Sequence, residues 1–211
     1  MHAMVDHLLY GCPDLETGIA DVERLTGVRP AYGGQHLGLG THNALLSLGT
    51  RTYLEVIAPD PAQADLGVTL PYGIATLGAP SLRTWAAAPS AIDEAVSSAR
   101  AAGVGFGDVS AHSRRAPDGS DVRWRMATPP AAGDGPALVP FLIDWGTSAH
   151  PASRAPAGVR LVELTLRARD PDHLEAVLHA IGVTVPIVRS DTTGIDAVLV
   201  GPSGRNVVMR S

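Results

Sequence analysis

The chain has 211 residues, of which 45% are hydrophobic and 18% charged, a composition typical of one large or two small globular domains. The formal net charge is −5 and the sixteen basic residues are scattered, which argues against a nucleic-acid partner, because phosphate binding needs a concentrated basic face. The one cysteine excludes an intramolecular disulfide and a cysteine-based zinc cluster.

The beginning of the chain predicts a cytoplasmic protein. Acidic residues occur early in "MHAMVDHLLYGCPDLE", and no basic stretch precedes an apolar one as it does in a signal peptide. No uninterrupted apolar run approaches the roughly 20 residues that cross a bilayer. We therefore expect no contact with a membrane.

The first sixty residues predict a strand, a helix and further strands. The stretch "MVDHLLYG" alternates as a strand does, and apolar side chains then recur at spacings of three and four from Leu15 to Leu25. Gly27 is placed to end this helix. Two strand-like segments follow, at residues 44–48 and 53–58.

The same order of elements recurs twice further along the chain. Residues 81–146 predict a strand, a helix closed by Gly103 and two more strands. Residues 158–211 predict a shorter version, in which Asp170 begins the helix and a hairpin closes the unit. Three such units within one chain indicate duplication.

Two proline-containing linkers, at 60–80 and 147–158, separate these units. We therefore predict an α+β protein in which paired modules form one domain and a third, shorter module packs on it. The predicted bounds are 1–146 for the domain, about 1–60 and 81–146 for its two modules, and 158–211 for the third module.

Two polar residues stand out within apolar strands. His7 shares a strand face with Val5 and Leu9, and Glu55 lies between aliphatic neighbours in "TYLEVIA". Burying a carboxylate there is costly unless something pairs with it. If the two strands share a curled sheet, His7 and Glu55 form a partial ligand set for a divalent metal. The alternative for His7 is a strand-end histidine bonded to the backbone.

Two further candidates lie in "GGQHLGLGTHNALL". His36 is surrounded by glycines, which allow tight curvature, so it either reaches over a pocket or lies in an exposed loop. Asn43 alternates with Leu45, so it either adds a polar group to a buried face or bonds strand ends. The sequence contains no P-loop, GxSxG or HExxH motif, which argues against nucleotide enzymes, serine hydrolases and zincin proteases.

Together with His7 and Glu55, the repeated pattern resembles the vicinal oxygen chelate superfamily, and more narrowly its glyoxalase-like branch. The resemblance lies in "DHLLYGCPDLETGIADVERLTGV", "GGQHLGLGTHNALLSLGTRTYLEVIAPDP" and "VPFLIDWG". It implies paired βαβββ modules that form a curled mixed sheet with a concave cup for a small molecule. It also implies a divalent metal (zinc, manganese, iron or nickel) bound by His7 and Glu55 and acting as a Lewis acid.

The second module departs from the family pattern. Its first strand carries Arg83 and Trp85, and its last strand offers Asp144 beside Trp145. His36 would then complete a three-ligand metal site from the first module. Alternatively, Arg83 or Arg125 would bind a substrate carboxylate directly, with no metal present. Asn43, Asp144 and the tryptophans are further candidates for substrate contact.

Three functions remain open at this point. The leading one is a lyase, isomerase or dioxygenase acting on a small oxygen-rich metabolite, with Glu55 as the base. The second is a metal-free protein that sequesters an antibiotic or metabolite in a cup lined by Trp85, Trp124 and Trp145. The third is a degenerate copy whose sheets serve only dimerisation, since paired modules of this kind often assemble between chains, and a homodimer is possible in every case.

Overall fold

The computed structural model describes residues 2–115, 119, 121–131, 133 and 135–211. Within this part of the chain there are twelve strands and three α-helices. They are, in order, β1 Ala3–Gly11, α1 Leu15–Thr26, β2 Ala31–His36, β3 Thr41–Ser47, β4 Tyr53–Pro59, β5 Ser81–Pro89, α2 Ile92–Ala101, β6 Ser110–Arg115, β7 Asp121–Ala127, β8 Phe141–Asp144, β9 Arg160–Ala168, α3 Pro171–Ala180, β10 Ile187–Arg189, β11 Gly194–Val200 and β12 Asn206–Arg210.

The strands form two sheets. The larger has eight strands in the order β2-β3-β4-β1-β5-β8-β7-β6, and the smaller has four in the order β10-β9-β11-β12. Both are mixed, because β1 pairs parallel with β4, β5 with β8, and β9 with β10, whereas their other pairs are antiparallel. The larger sheet curls until its two edges almost meet. This confirms the predicted α+β fold with a curled mixed sheet.

Local sequence explains where the helices begin and end. The side chain of Asp14 accepts a hydrogen bond from Thr17 N and caps α1, and Gly27 ends the helix in the left-handed region with φ of 78°. Asp170 caps α3 in the same way, through His173 N. Each helix therefore starts directly after an aspartate, as the sequence pattern indicates for Asp170.

Three strands of the structure are not predicted from the sequence. Strand β2 contains Gly33 and Gly34, which have low strand propensity, so the pattern does not predict a strand there. Strand β6 is "SAHSRR", a polar segment at the edge of the sheet. Strand β10 has only three residues, too few for alternation to be visible.

The core has two parts, one on each face of the larger sheet. On the outer face, α1, α2 and the smaller sheet pack around residues such as Leu8, Trp85 and Leu199. On the inner face, a second cluster includes Tyr53, Phe141 and Ile143. The inner face is therefore only partly filled, and the space left over forms a cup.

The third unit packs on the outer face. Backbone hydrogen bonds from Ala3 N to Gly182 O (2.8 Å) and from Leu161 N to Leu48 O (3.1 Å) join it to the larger sheet. Gly201 packs directly on the end of α1, since a Cβ atom there would lie 2.1 Å from Thr26 O. Among the described residues, no helix is both long and apolar enough to cross a membrane.

Candidate functional site

The inner face of the curled sheet encloses a cavity of about 440 Å³. This is a suitable size for a small molecule. One side of the cavity is polar and includes His7, His36, Asn43 and Glu55. The rest is largely apolar and aromatic, with Tyr53, Tyr72, Trp124, Phe141 and Trp145.

The carboxylate of Glu55 lies at the centre of the polar side. Asn43 Nδ2 donates a hydrogen bond of 2.7 Å to Glu55 Oε1. The second oxygen, Oε2, lies 3.5 Å from His7 Nε2. Oε1 also lies 3.6 Å from His36 Nε2. The structure thus brings together His7, His36, Asn43 and Glu55, four of the residues that the sequence singled out.

A β-bulge places Asp6 beside His7. Along the β1–β5 pair, Val5 lies opposite Ala87 and His7 opposite Ala86, so Asp6 is an extra residue in the strand. Simple alternation puts Asp6 on the face opposite His7, and that expectation is wrong here. His7 Nδ1 and Asp6 Oδ1 are 2.7 Å apart.

Asp6 is a buried carboxylate with three nitrogen partners. Besides His7, Trp145 Nε1 donates to Oδ2 at 3.1 Å, and His150 Nε2 lies 3.1 Å from Oδ2. Burial acts to raise the pKa of Asp6, but the hydrogen bonds from His150 and His7 outweigh it and lower this pKa to about 2. An ionised carboxylate only accepts hydrogen bonds. His7 therefore donates from Nδ1 to Asp6, and its Nε2 lies on the side of Glu55.

The proton positions around His150 are fixed in the same way. Its Nδ1 accepts a hydrogen bond from Ala152 N at 3.2 Å, so Nε2 carries the proton that Asp6 accepts. The sequence placed this histidine in a linker and gave it no role. Its burial against Asp6 depends on a contact 144 residues away, which local pattern does not reveal.

His36 is held as a neutral side chain. Its Nδ1 lies 2.9 Å from Thr41 Oγ1 and its Nε2 lies 3.2 Å from Asn43 Nδ2. Burial lowers the pKa of His36, and the nearby Glu55 opposes this effect only in part. Since Asn43 Nδ2 can only donate, His36 Nε2 acts as its acceptor.

This arrangement is not a preformed metal site. The part of the chain that the structure describes contains no group of three or more His, Cys, Asp or Glu side chains spaced to hold a metal ion. Within the first module, the amide of Asn43 occupies both Glu55 Oε1 and His36 Nε2. The central strands of the second module, β5 and β8, contribute Ala86, Phe141 and Ile143 to the inner face, and these side chains have no metal-binding atoms.

Two of the predicted substrate-binding residues lie outside the cup. Trp85 is fully buried in the outer core, where its Nε1 donates to Leu138 O at 2.9 Å. Arg125 lies on the surface and donates to Asp93 Oδ1 at 2.6 Å. Alternation along a strand tells which residues share a face but not which face lines a cavity.

Arg83 and Asp144 also support the structure around the cup without lining it. Arg83 is a second bulge residue, since Leu9 lies opposite Thr84 and Tyr10 opposite Leu82. Its Nε donates to Tyr72 O at 2.9 Å. Asp144 accepts from Gly146 N at 2.9 Å in a turn. Of the candidates for substrate contact, Asn43, Trp124 and Trp145 do line the cavity.

The connection between β4 and β5 covers part of the cup. It contains two short 3-10 segments, Pro61–Leu66 and Pro71–Thr76. Tyr72 has a φ of 60°, a conformation that costs energy for a non-glycine residue, and its ring stacks on Phe141 at a centroid distance of 6.2 Å. The bond from Arg83 to its carbonyl oxygen helps to hold this conformation.

Strand β6 supplies cup residues that the sequence did not indicate. Ser110, His112 and Arg114 alternate along the strand and all line the cavity. The ring of His112 stacks on Trp124 at a centroid distance of 5.9 Å. The available signal is the period-two polar pattern of "SAHSRR", which fits a polar loop and hairpin equally well.

A larger open groove of about 920 Å³ lies elsewhere, between α1 and the residues around 59–75. Its charged groups already have partners. Asp60 accepts hydrogen bonds from Gln35 and Gln63, and Arg29 pairs with Glu16 and Glu23. We therefore place the functional site in the smaller cup, where unpaired polar atoms converge.

Known proteins share this architecture. The family model described as "Glyoxalase-like domain" matches residues 5–182. A search among curated proteins gave no significant match. Among solved structures, a hypothetical protein from Staphylococcus aureus matches with a TM-score of 0.65 and 13% identity, over 99% of this chain and 85% of that one.

Two enzymes of one type also appear among the similar structures. Methylmalonyl-CoA epimerase from Mycobacterium tuberculosis has a TM-score of 0.46 and 20% identity, over 67% of this chain and 87% of that one. The Streptomyces coelicolor enzyme has a TM-score of 0.48 and 17% identity, over 72% and 100%. At such identities a likeness concerns the fold and says nothing of activity.

Proposed function

The chain belongs to the glyoxalase-like domain family, and from this premise we propose that its cup is the active site of a small-molecule enzyme of the lyase or isomerase type. In this proposal Glu55 takes a proton from a carbon atom of the bound substrate. The observation that carries the proposal is the state of Glu55 Oε2. It faces the cavity from a buried position and accepts no hydrogen bond from any described residue.

The surroundings of Glu55 suit a base. Asn43 fixes one carboxylate oxygen through a bond of 2.7 Å, which leaves the other oxygen free to react. His7 Nε2 lies 3.5 Å from that oxygen. A proton taken by Glu55 can pass to His7, because Asp6 stabilises the imidazolium that forms. Asp6 is thus a positioning residue that acts through His7.

The apolar part of the cup supports the same chemistry. Tyr53, Phe141 and Trp145 surround the polar side, and the His7 ring stacks on Tyr53 at a centroid distance of 4.4 Å. A substrate in this cavity displaces water, and exclusion of water strengthens each electrostatic interaction with the carboxylate.

Proton exchange with solvent tests the proposal directly. We would incubate the protein in D₂O with a panel of dicarbonyl compounds, 2-oxo acids and 2-hydroxy ketones, and follow deuterium uptake next to the carbonyl by NMR. We expect exchange with at least one compound and a loss of at least ~100-fold in Glu55→Gln. The matched control is Glu163→Gln on the exposed part of β9, which should exchange normally. An active Glu55→Gln protein would overturn the role of Glu55.

The predicted metal role of His7, His36 and Glu55 needs its own measurement. Elemental analysis would be performed on wild type, His7→Ala and Glu55→Ala, all purified without chelator or affinity tag. Activity that survives chelator treatment would support proton transfer by the side chains alone. One zinc, manganese, iron or nickel ion per chain, lost in both variants, would instead establish a metal centre and admit dioxygenase chemistry.

A metal-free sequestering protein is the second candidate. The aromatic lining favours it, since Trp124 and Trp145 contact each other at a centroid distance of 5.7 Å and can hold a flat ligand. Such a protein would bind its ligand at one per chain and release it chemically unchanged. It would also show no deuterium exchange with any compound that binds.

A further inference from the structure

We infer that the cup selects molecules that carry a carboxylate, and that Arg114 is the residue that binds this group. The inference rests on the proposed function of the cup as a substrate site and adds the substrate class. It also moves the predicted carboxylate contact from Arg83 and Arg125, which lie outside the cavity, to a residue inside it.

Arg114 is a cation without a matching anion. Among the described residues that line the cup, it is the one arginine, and the chain has no lysine. No described carboxylate lies within ion-pair distance of its guanidinium, whereas Arg125 pairs with Asp93 and lies 3.8 Å from Asp144. Asp108, at the rim, is bound to Arg100. A half-buried guanidinium of this kind favours an anionic ligand.

The position of the guanidinium is fixed by the fold. Its Nη1 donates to Gly33 O, so the side chain of a β6 residue bridges to β2, at the opposite edge of the curled sheet. One of five N–H donors is used in this bond, and the others have no partner among the described residues. The planar group can therefore offer two parallel donors to one carboxylate.

The groups around Arg114 determine what the carboxylate is attached to. Trp124 and Met126 on β7 line the same side of the cavity and favour an apolar or aromatic body. Glu55 lines the same cavity and is already bound by Asn43. A small aromatic acid would thus have its carboxylate at Arg114 and its reactive carbon toward Glu55.

Matched acids and amides test this inference. Phenylacetate and phenylacetamide have the same shape and differ in charge, and 3-phenylpropionate with its amide gives a second pair. Binding would be followed by quenching of tryptophan fluorescence, since Trp124 and Trp145 line the cup, and checked by calorimetry. We expect wild type to bind each acid at least ~10-fold more tightly than its amide.

Variants of two arginines on neighbouring strands complete the test. Arg114→Met should abolish the preference for acids, and Arg114→Lys should retain part of it, because lysine keeps the charge without the planar donors. Arg123→Met is the matched control, since Arg123 lies on β7 with its side chain 76% exposed. Melting temperatures would confirm that the variants fold. Equal affinity of wild type for acid and amide, no binding of either acid, or an unchanged preference in Arg114→Met would overturn the inference.

The same assay separates this inference from the proposed function. Glu55→Gln removes the base and leaves Arg114 in place, so it should still prefer the acids. A preference for acids together with no proton exchange would retain the anion site and reject the enzyme. Proton exchange at equal rates on acids and amides would retain the enzyme and reject Arg114 as its specificity residue.

Discussion

Asp6 and His7 are consecutive residues of one strand, yet their side chains lie on the same side and meet at 2.7 Å between Oδ1 and Nδ1. The bulge at Asp6 is the cause, because it inserts one residue that has no partner on β5. In a regular strand His7 would face the cup alone, and its ring would lack the group that fixes its tautomer. The bulge is therefore part of the site.

Asp6 should make the free energy of unfolding decrease at low pH. Its folded-state pKa of about 2 lies below the ordinary value of 3.8, so the unfolded chain binds more protons between these values. The contribution of Asp6 is present above pH ~4 and lost as the pH falls through ~2, and we estimate it at about 2 kcal/mol. Urea unfolding between pH 7 and pH 2 measures it.

The substitution Asp6→Asn should reduce this loss of stability at low pH, and it should lower the free energy of unfolding at pH 7. Asp172→Asn is the control, because the side chain of Asp172 is 87% exposed. If Asp6→Asn lost as much stability between pH 7 and pH 2 as the wild type does, Asp6 would not be the cause of this pH dependence. A change in the ¹⁵N shifts of His7 would show in addition that its tautomer depends on Asp6.

His36 should act on stability in a higher pH range. Burial lowers its folded-state pKa below the ordinary value of 6.5, so below that pH the unfolded chain binds more protons than the folded one. The melting temperature should consequently fall as the pH decreases through 6.5. His36→Gln should remove this part of the slope, and His173→Gln, on the exposed side of α3, should not. Titration of His36 above pH 6.5 by NMR would refute the expectation.

Substitutions of Trp85 and Trp124 should affect different properties, the first the stability of the fold and the second the binding of a ligand. Trp85 is fully buried in the outer core, and Trp85→Ala should cost about 3–5 kcal/mol of unfolding free energy. Trp124 is only partly buried and lines the cup, so Trp124→Ala should cost far less and weaken binding of aromatic acids. Chemical denaturation and fluorescence titration of both variants check this. The reverse order of stability would be inconsistent with the packing.

Gly33 should control the site without contributing a side chain. A Cβ atom at this position would lie 2.4 Å from Asn43 Oδ1, so alanine there must displace the amide that holds Glu55. We expect Gly33→Ala to reduce deuterium exchange at least ~10-fold in a folded protein. Gly78→Ala is the control, because a Cβ atom there meets no atom within 4 Å. Normal exchange by Gly33→Ala would mean that the amide position is unimportant.

The sequence was sufficient for the fold class and for the polar side of the cup. Alternation within β1 and β4 placed His7 and Glu55 on faces that can meet, and the structure separates them by 3.5 Å. The roles of these residues in metal binding or catalysis remain predictions, as do the domain bounds and the homodimer. Metal binding, catalysis and dimerisation are properties of a bound or assembled state rather than of strand periodicity.

The remaining features depend on pairing between distant strands. The bulges at Asp6 and Arg83 exist only relative to the partner strand, so neither can be read from its own segment. Arg114 belongs to a short polar edge strand whose inner face is defined by the curl of the whole sheet. Local periodicity determines neither.

The packing of the smaller sheet on the outer face has a consequence for how the chain must be made. Leu199 on β11 and Met209 on β12 belong to the same apolar cluster as Leu8 on β1. During synthesis, the central strands of the larger sheet therefore emerge long before the residues that cover them. The nascent chain must therefore keep this apolar surface from aggregating until β11 and β12 have been synthesised.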